Sequence, residues 1–465
     1  MTVVAGINIM PSYKGFLIAV LILTTVTSCG RKVDSFARGY AEYAKGDYDE
    51  AITDYTKAIA LNPSDARAYN NRGIAWRAKG DYDNAISDFD KALELQPDDA
   101  IAFLNRGVAK QKKGDLDGAI ADCNTAIRFA PNEPLSHYDR GIARQAKGDF
   151  DGAISDFTKT IELKPDDAAA YDNRGMLKKA KGDLEGAMAD YNKAVELKPD
   201  DAAAYTNRGI AKQAKGDLEG AMADYNKAVE LKPDDAVAYR NRGTAKRAKG
   251  DLDGAVADYT KAIKLKPDYP SAYDSRGNVK KAKGDFDGAI MDFSKAIELN
   301  PKYAWAYHFR GCLRYDTRDW TNALIDFRKT VGLNSTNDYS HFRVWLIRAR
   351  SGETEAATAE LQTYLTNRPS GNAENWTSQI GRFLAGQLTE SELLAAAKNT
   401  NQTTEAGQLC EAYFYAGSKF LFAGEKVKAS DYFQKSVATE KKNYMEYASA
   451  VAELNFLKSE TISPK

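Results

Sequence analysis

The strongest constraint on this chain is a recurrence with a fixed period. Gly39, Gly73, Gly107, Gly141, Gly175, Gly209, Gly243, Gly277 and Gly311 follow one another at intervals of 34 residues. Ala51 through Ala323 recur in step, and an aromatic stands four residues after each alanine: Tyr55, Phe89, Phe157, Tyr191, Tyr225, Tyr259, Phe293 and Phe327. Cys123 takes that place in the third unit, and a proline closes eight units, from Pro63 to Pro301. A unit this short cannot bury an apolar face alone, so it must stack on copies of itself. The 465 residues therefore do not divide into the three or so domains that length alone suggests.

Each mark has a physical role. Small residues at the glycine and alanine positions let two helices approach closely, and the aromatic four residues on lies on the same helix face and fills the space between units. The Lys79-Gly80-Asp81 type of turn ends the first helix on a glycine that tolerates left-handed backbone, and its aspartate caps the next helix. In the first unit Asp47 and Glu50 have capping-box spacing. The Pro97-Asp98-Asp99-Ala100 junction stops the second helix and caps the following one. Arg precedes the repeat glycine in all nine units (Arg38 to Arg310), and Asp precedes the aromatic position in all nine (Asp54 to Asp326). Paired placement implies an Arg–Asp ion pair between the two helices, expected to be exposed and worth about 0.2–1 kcal/mol each.

The glycine–alanine–aromatic–proline order at this period resembles the tetratricopeptide repeat (TPR) family. That resemblance implies an all-α fold, a TPR α-solenoid: a superhelical array of about eleven helix pairs, the last two diverged, with a C-terminal capping helix. Nine repeats occupy residues 29–337 and a diverged tenth, with Gly352, Ala357 and Leu361 in register, occupies 338–371. Residues 372–409 break the period as a helical insert, and 410–465 read as a diverged repeat (Gly417, Ala429, Phe433) plus a capping helix. The last 55 or so residues resemble the end of NlpI-type outer-membrane TPR lipoprotein adaptors, which implies an adaptor role.

In TPR arrays the first helix of each pair, helix A, lines the concave groove through its positions 2, 5, 9, 12 and 13. By that resemblance the partner-binding residues are Arg67, Asn70, Arg77, Lys112, Tyr138, Lys179, Arg240, Arg247, Lys281, Trp305, His308 and Tyr315. Trp305, His308 and Tyr315 form the expected hot spot, since aromatics concentrate binding energy. Cations outnumber anions in this set, which favours envelope proteins or peptides with acidic segments as partners.

Residues 1–28 differ from the rest. Lys14 precedes the apolar run Phe16–Val26, too short for a membrane span of about 20 residues and suited to a signal peptide. Val26-Thr27-Ser28-Cys29 resembles a bacterial lipobox, which implies cleavage before Cys29 and lipidation (palmitate) of that cysteine. Gly30 in place of aspartate favours the outer membrane, with the array facing the periplasm. Lys+Arg and Asp+Glu both number 65, which with the export signal argues against nucleic acid as partner. The three histidines lie far apart and the four cysteines show no CxxC spacing, so neither a metal nor a cofactor is expected. No nucleophile–base pairing or phosphate loop stands out, and the expected role is a non-enzymatic scaffold; the alternative is a structural or glycan-binding envelope component. Cys29→Ser is expected to move the protein from the membrane to the soluble fraction of fractionated cells, and unchanged membrane association would refute lipid anchoring.

Overall fold

The computed structural model describes residues 34–368 and 375–462; the expected signal segment, the expected lipidation site Cys29 and the expected boundary at 371 lie outside these. Among the described residues all regular structure is helical, in 25 helices. The chain forms two compact units, 34–217 and 218–462.

The first unit begins with helix pairs Ser35–Lys45/Tyr48–Leu61, Ala66–Lys79/Tyr82–Leu95, Ala100–Lys113/Leu116–Phe129, Pro134–Lys147/Phe150–Leu163 and Ala168–Ala180/Leu184–Leu197. Here the first helix of each pair is helix A and the second helix B. A Cβ added at Gly73 would fall 2.8 Å from the Phe89 ring, so the two helices of a pair meet at the glycine with the aromatic wedged beside it. A Cβ added at Gly107 would lie 3.4 Å from the Cys123 sulfur, a looser fit than against an aromatic ring. Helix A of the second repeat ends on Gly80 at φ +84, where a side chain would be strained. Asp81, Asp115, Asp149 and Asp183 accept backbone N–H bonds at the start of their B helices, as expected. The capping box of the first repeat does not form: the Asp47 side chain makes no cap bond. In later repeats the third helical position is often glycine, and a Cβ at Gly118 would lie 2.1 Å from the Asp115 carboxylate. Asn84 carries a Cβ in that place and still gives its N–H to Asp81, so what sets Glu50 apart is a charge like that of Asp47.

The Arg–Asp pairs form, and they are buried rather than exposed, which corrects the sequence expectation. Arg174 donates from Nε and Nη2 to the two oxygens of Asp190 at 2.9 and 2.6 Å, and Lys178, one turn on, reaches the same carboxylate at 2.8 Å. Asp190 is 3% exposed. The remaining guanidinium nitrogen reaches back to helix B of the preceding repeat, where Nη1 donates to Thr158 Oγ1 at 3.1 Å. The same backward bond runs from Arg72 to Thr56, Arg106 to Asp90, Arg140 to Asn124 and, within the second unit, Arg242 to Asn226, Arg276 to Thr260 and Arg310 to Ser294. Each of these arginines thus closes its own helix pair and staples it to the previous one. A second, exposed ladder joins the turn lysine of one repeat to helix B of the one before (Lys113–Asp83, Lys147–Asp117, Lys283–Asp253).

The second unit comprises Leu218–Leu231 and the pairs Ala236–Ala248/Leu252–Leu265, Pro270–Ala282/Phe286–Leu299 and Ala304–Asp316/Trp320–Leu333, followed by the C-terminal elements. The ladder then stops. Val344 stands where the next arginine would, and Glu360, at the aspartate position, is taken by Arg328 and Arg348. From here the repeat-sized cores give way to one continuous core running from Cys312 to Leu457. It joins the pair Asp338–Arg350/Thr354–Thr366, the short helices Trp376–Leu384 and Glu390–Ala396, the pair Gln402–Phe422/Lys426–Ala438 and the terminal helix Met445–Ile462. A Cβ added at Gly417 would fall 2.9 Å from the Phe433 ring, reproducing the repeat contact. The expected boundary at 410 falls inside helix Gln402–Phe422, which extends the eleventh repeat backwards into the insert.

Two predictions follow from these charges. Asp190→Asn leaves Arg174 and Lys178 without their carboxylate in a largely dry place, and is expected to cost about 3 kcal/mol in urea unfolding. Arg174→Met and Lys178→Met with Asp190→Leu, which removes all three charges together, is expected to recover most of it, and an unchanged midpoint for Asp190→Asn would exclude a stabilising role. Glu411, buried with the Tyr339 hydroxyl and Trp376 indole donating to it, has its carboxyl pushed up by burial and then by the Glu446 charge. A raised folded-state value means the folded chain holds a proton that the unfolded chain releases above the ordinary 4.5, so stability falls as pH rises. Glu411→Gln is expected to flatten that fall between about pH 5 and pH 8, measured by urea midpoints.

Candidate partner-binding face

The side chains expected to meet a partner lie on the A helices, and the two units are described in turn. In the first, amides link neighbouring repeats. Asn105 donates to Asn70 at 3.2 Å and accepts from Arg77 at 3.2 Å; Asn173 donates to the Tyr138 hydroxyl at 2.9 Å; Asn207 donates to both Asp172 oxygens at 3.1 and 3.0 Å. In each case the residue just before the ladder arginine donates to the A helix of the preceding repeat, at the expected groove residues Asn70 and Tyr138 in the first two cases. Asp139 occupies that same position, and burial pushes its carboxyl up to about 7 against the opposing pull of Arg77 and Lys112. Asp172 is raised by burial to about 6, with the Asn207 bond opposing, and Lys179 is lowered by burial. Arg67 is exposed but tied to its own helix cap, Asp65, at 3.1 Å, with its guanidinium 5.5 Å from the Phe36 ring centre. Lys112 is exposed, and Ile101 and Leu135 add exposed apolar surface at position 2 of two successive A helices.

In the second unit Arg240 donates from Nη1 to Asn241 at 3.0 Å, while its buried Nε finds no hydrogen-bond partner. Arg247 is exposed. Burial raises the Asp274 carboxyl, and the Tyr303 hydroxyl, Arg247, Arg240 and Lys281 all oppose that rise. Lys281 sits 4.9 Å from the Phe309 ring centre and is lowered by burial. Trp305 stacks beside Phe309 and stays 51% exposed.

The expected aromatic hot spot is not assembled. His308 and Tyr315 are buried, at 5% and 1% exposure, so neither is presented to a partner. His308 Nδ1 lies 2.8 Å from Ser340 Oγ, and burial with the nearby Arg343 charge depresses its imidazole to about 3. Tyr315 packs edge-on to Trp320 and under the Arg343 guanidinium. Both are covered because repeat ten and the terminal helix pack on helix Ala304–Asp316. Conversely, sequence reasoning passed over Asn105, Asp139, Asn173 and Asn207, although their signal was visible as a polar residue recurring directly before the ladder arginine.

Comparison with known families agrees with this architecture. One family description, tetratricopeptide repeat, matches residues 36–100 and 77–134. A second, TPR repeat, matches 175–216, 213–246, 243–282 and 277–317. The chain is a tetratricopeptide repeat protein. Repeats of this family generally mediate protein–protein interactions. Among solved structures, the repeat protein is similar to MamA from Desulfovibrio magneticus at 26% identity, over 36% of this chain and 95% of that one, with a TM-score of 0.34. It is similar at 27% identity to YrrB, a TPR protein with an unusual peptide-binding site, over 40% of this chain and 95% of that one (TM-score 0.34). A tetratricopeptide repeat protein from Parabacteroides merdae aligns at 20% identity over 50% of this chain and 93% of its own, with a TM-score of 0.44.

Proposed function

We propose that this repeat protein is a non-enzymatic adaptor, lipid-anchored through Cys29 at the bacterial outer membrane and facing the periplasm. It holds segments of envelope proteins along its A helices. The observation that carries this reading is the register of that face: amides, cations and exposed apolar groups recur at the same helix positions from repeat to repeat. Such a row suits a peptide held by hydrogen bonds and modest apolar contact. The lipobox resemblance supports the anchoring, and the likeness of the C-terminal residues to NlpI-type lipoproteins supports the adaptor role.

The test is a photo-crosslinking residue placed at Lys112, Tyr138 or Arg247 of the full-length protein in its native cells, with exposed Ser155 on a B helix as control. Discrete envelope proteins are expected from the three A-helix positions and not from Ser155. Equal capture from Ser155 would move binding off this face, and capture of cell-wall glycan alone would replace the adaptor with a glycan-binding component.

A further inference from the structure

The end of the array already holds a helix. The terminal helix Met445–Ile462 turns Glu446, Ser449 and Glu453 inward, at 4%, 1% and 1% exposure, with Ala450, Leu454 and Leu457 packed alongside. Ser449 donates to Asp316 at the end of helix Ala304–Asp316, at 2.5 Å. Glu453 is gripped by Arg318, at 2.9 Å, and by Arg350, while Glu446 meets Arg343 at 3.5 Å. The two glutamates are seven residues apart, two turns of one helix, or about 10.5 Å along its axis. Arg318 makes its contact from left-handed backbone at φ 68, where every other repeat turn of this type has glycine. The turn accepts that strain while its side chain serves the acidic helix.

The A helices two repeats earlier present cations at a matching spacing. Arg240 and Arg247 are likewise seven residues apart on one helix, and Lys281 follows on the next. Repeat seven alone among the nine regular repeats has cations at both of these positions; the others pair one cation with Asn or Asp, or have none. The neighbouring cations Arg242, Lys246, Arg276 and Lys280 are already committed to Asp258 and Asp292. Asp274 is set among Arg240, Arg247 and Lys281, and Asp316 also faces Lys281, so three cations stand against two carboxyls. This leaves an excess of positive charge, a buried guanidinium nitrogen on Arg240 without a partner, and the exposed Trp305 ring one repeat on.

We infer that the A helices of repeats seven and eight dock an acidic amphipathic helix of a partner protein, its two carboxylates seven residues apart set on Arg240 and Arg247, as the end of the array docks its own terminal helix. The inference rests on the proposed reading of the A helices as the binding face. Lys281 adds a third cation, and Trp305 offers an apolar platform for the partner's leucine-type residues. Carboxylates on guanidinium groups in such a place form charge-assisted, two-pronged bonds.

The probe is a fluorescein-labelled peptide with the sequence of residues 445–462, followed by anisotropy on titration with the full chain. A counterpart peptide carries Glu446→Gln and Glu453→Gln. Saturable binding is expected, weakened about tenfold by the glutamine peptide, by Arg240→Gln with Arg247→Gln in the protein, and by raising salt from about 50 to about 300 mM. Equal binding of the acidic and glutamine peptides, or undiminished binding to the double variant, would overturn the inference. The peptide comparison stands even if the double variant folds poorly. Capture through Lys112 and Tyr138 in cells separates the two readings. Partners captured there with no peptide binding would sink this inference alone, and the loss of both would sink the adaptor as well.

Discussion

Everything regular in this protein depends on one carboxylate per repeat, buried where helix B faces helix A. A lone ionised aspartate in that place would be costly, and a simple pair would offset little of the cost. The arginine solves this through its shape. Two N–H groups take both carboxylate oxygens of its own repeat, and a third reaches the preceding helix B. A lysine or arginine one turn further supplies a second cation in most repeats. The result is both a clamp and a register mark, because the backward bond forms only when successive repeats stack at the right offset. Packing of glycine against aromatic supplies the close approach, and the charges specify which approach.

Where that interaction ends, the architecture changes. Replacing the arginine by Val344 removes the staple, and the chain compensates with a shared apolar core and a different set of buried charges. Arg343, 1% exposed between the Tyr315 and Phe414 rings, takes over as the central cation, bonded to Ser449 and Glu446. Terminal units of a stacked array must hide a face that has no further neighbour. Here the helix Met445–Ile462 does so, and its acidic stripe is read by the same residue type that builds the ladder.

The same economy shapes the A-helix face. Its amides and carboxylates bond across repeats and so stay ordered without a ligand, while Lys112, Arg247, Ile101, Leu135 and Trp305 remain available. An ordered polar row reduces the entropy a bound segment must lose on the protein's side. Burial pushes the Asp139 and Asp172 carboxyls up to about 7 and about 6, so these acids offset less of the neighbouring positive charge as pH falls toward those values.

What the sequence determined by itself was everything that repeats. The period, the helix pair, the caps at Asp81 and its equivalents, and the pairing of each arginine with an aspartate were legible because local spacing places those residues on facing helix surfaces. Their burial was not legible, since it depends on neighbours that only stacking brings together. Tertiary structure alone decided the fate of His308 and Tyr315, which have groove positions by count but lie beneath residues from 340 onward. It also decided that helix Gln402–Phe422 runs through the expected boundary at 410. The physical reason is the same in both cases. Periodicity fixes contacts between adjacent repeats, whereas the cover at the end of the array comes from segments more than a hundred residues away in places, such as Arg318 with Glu453, whose meeting no local pattern encodes.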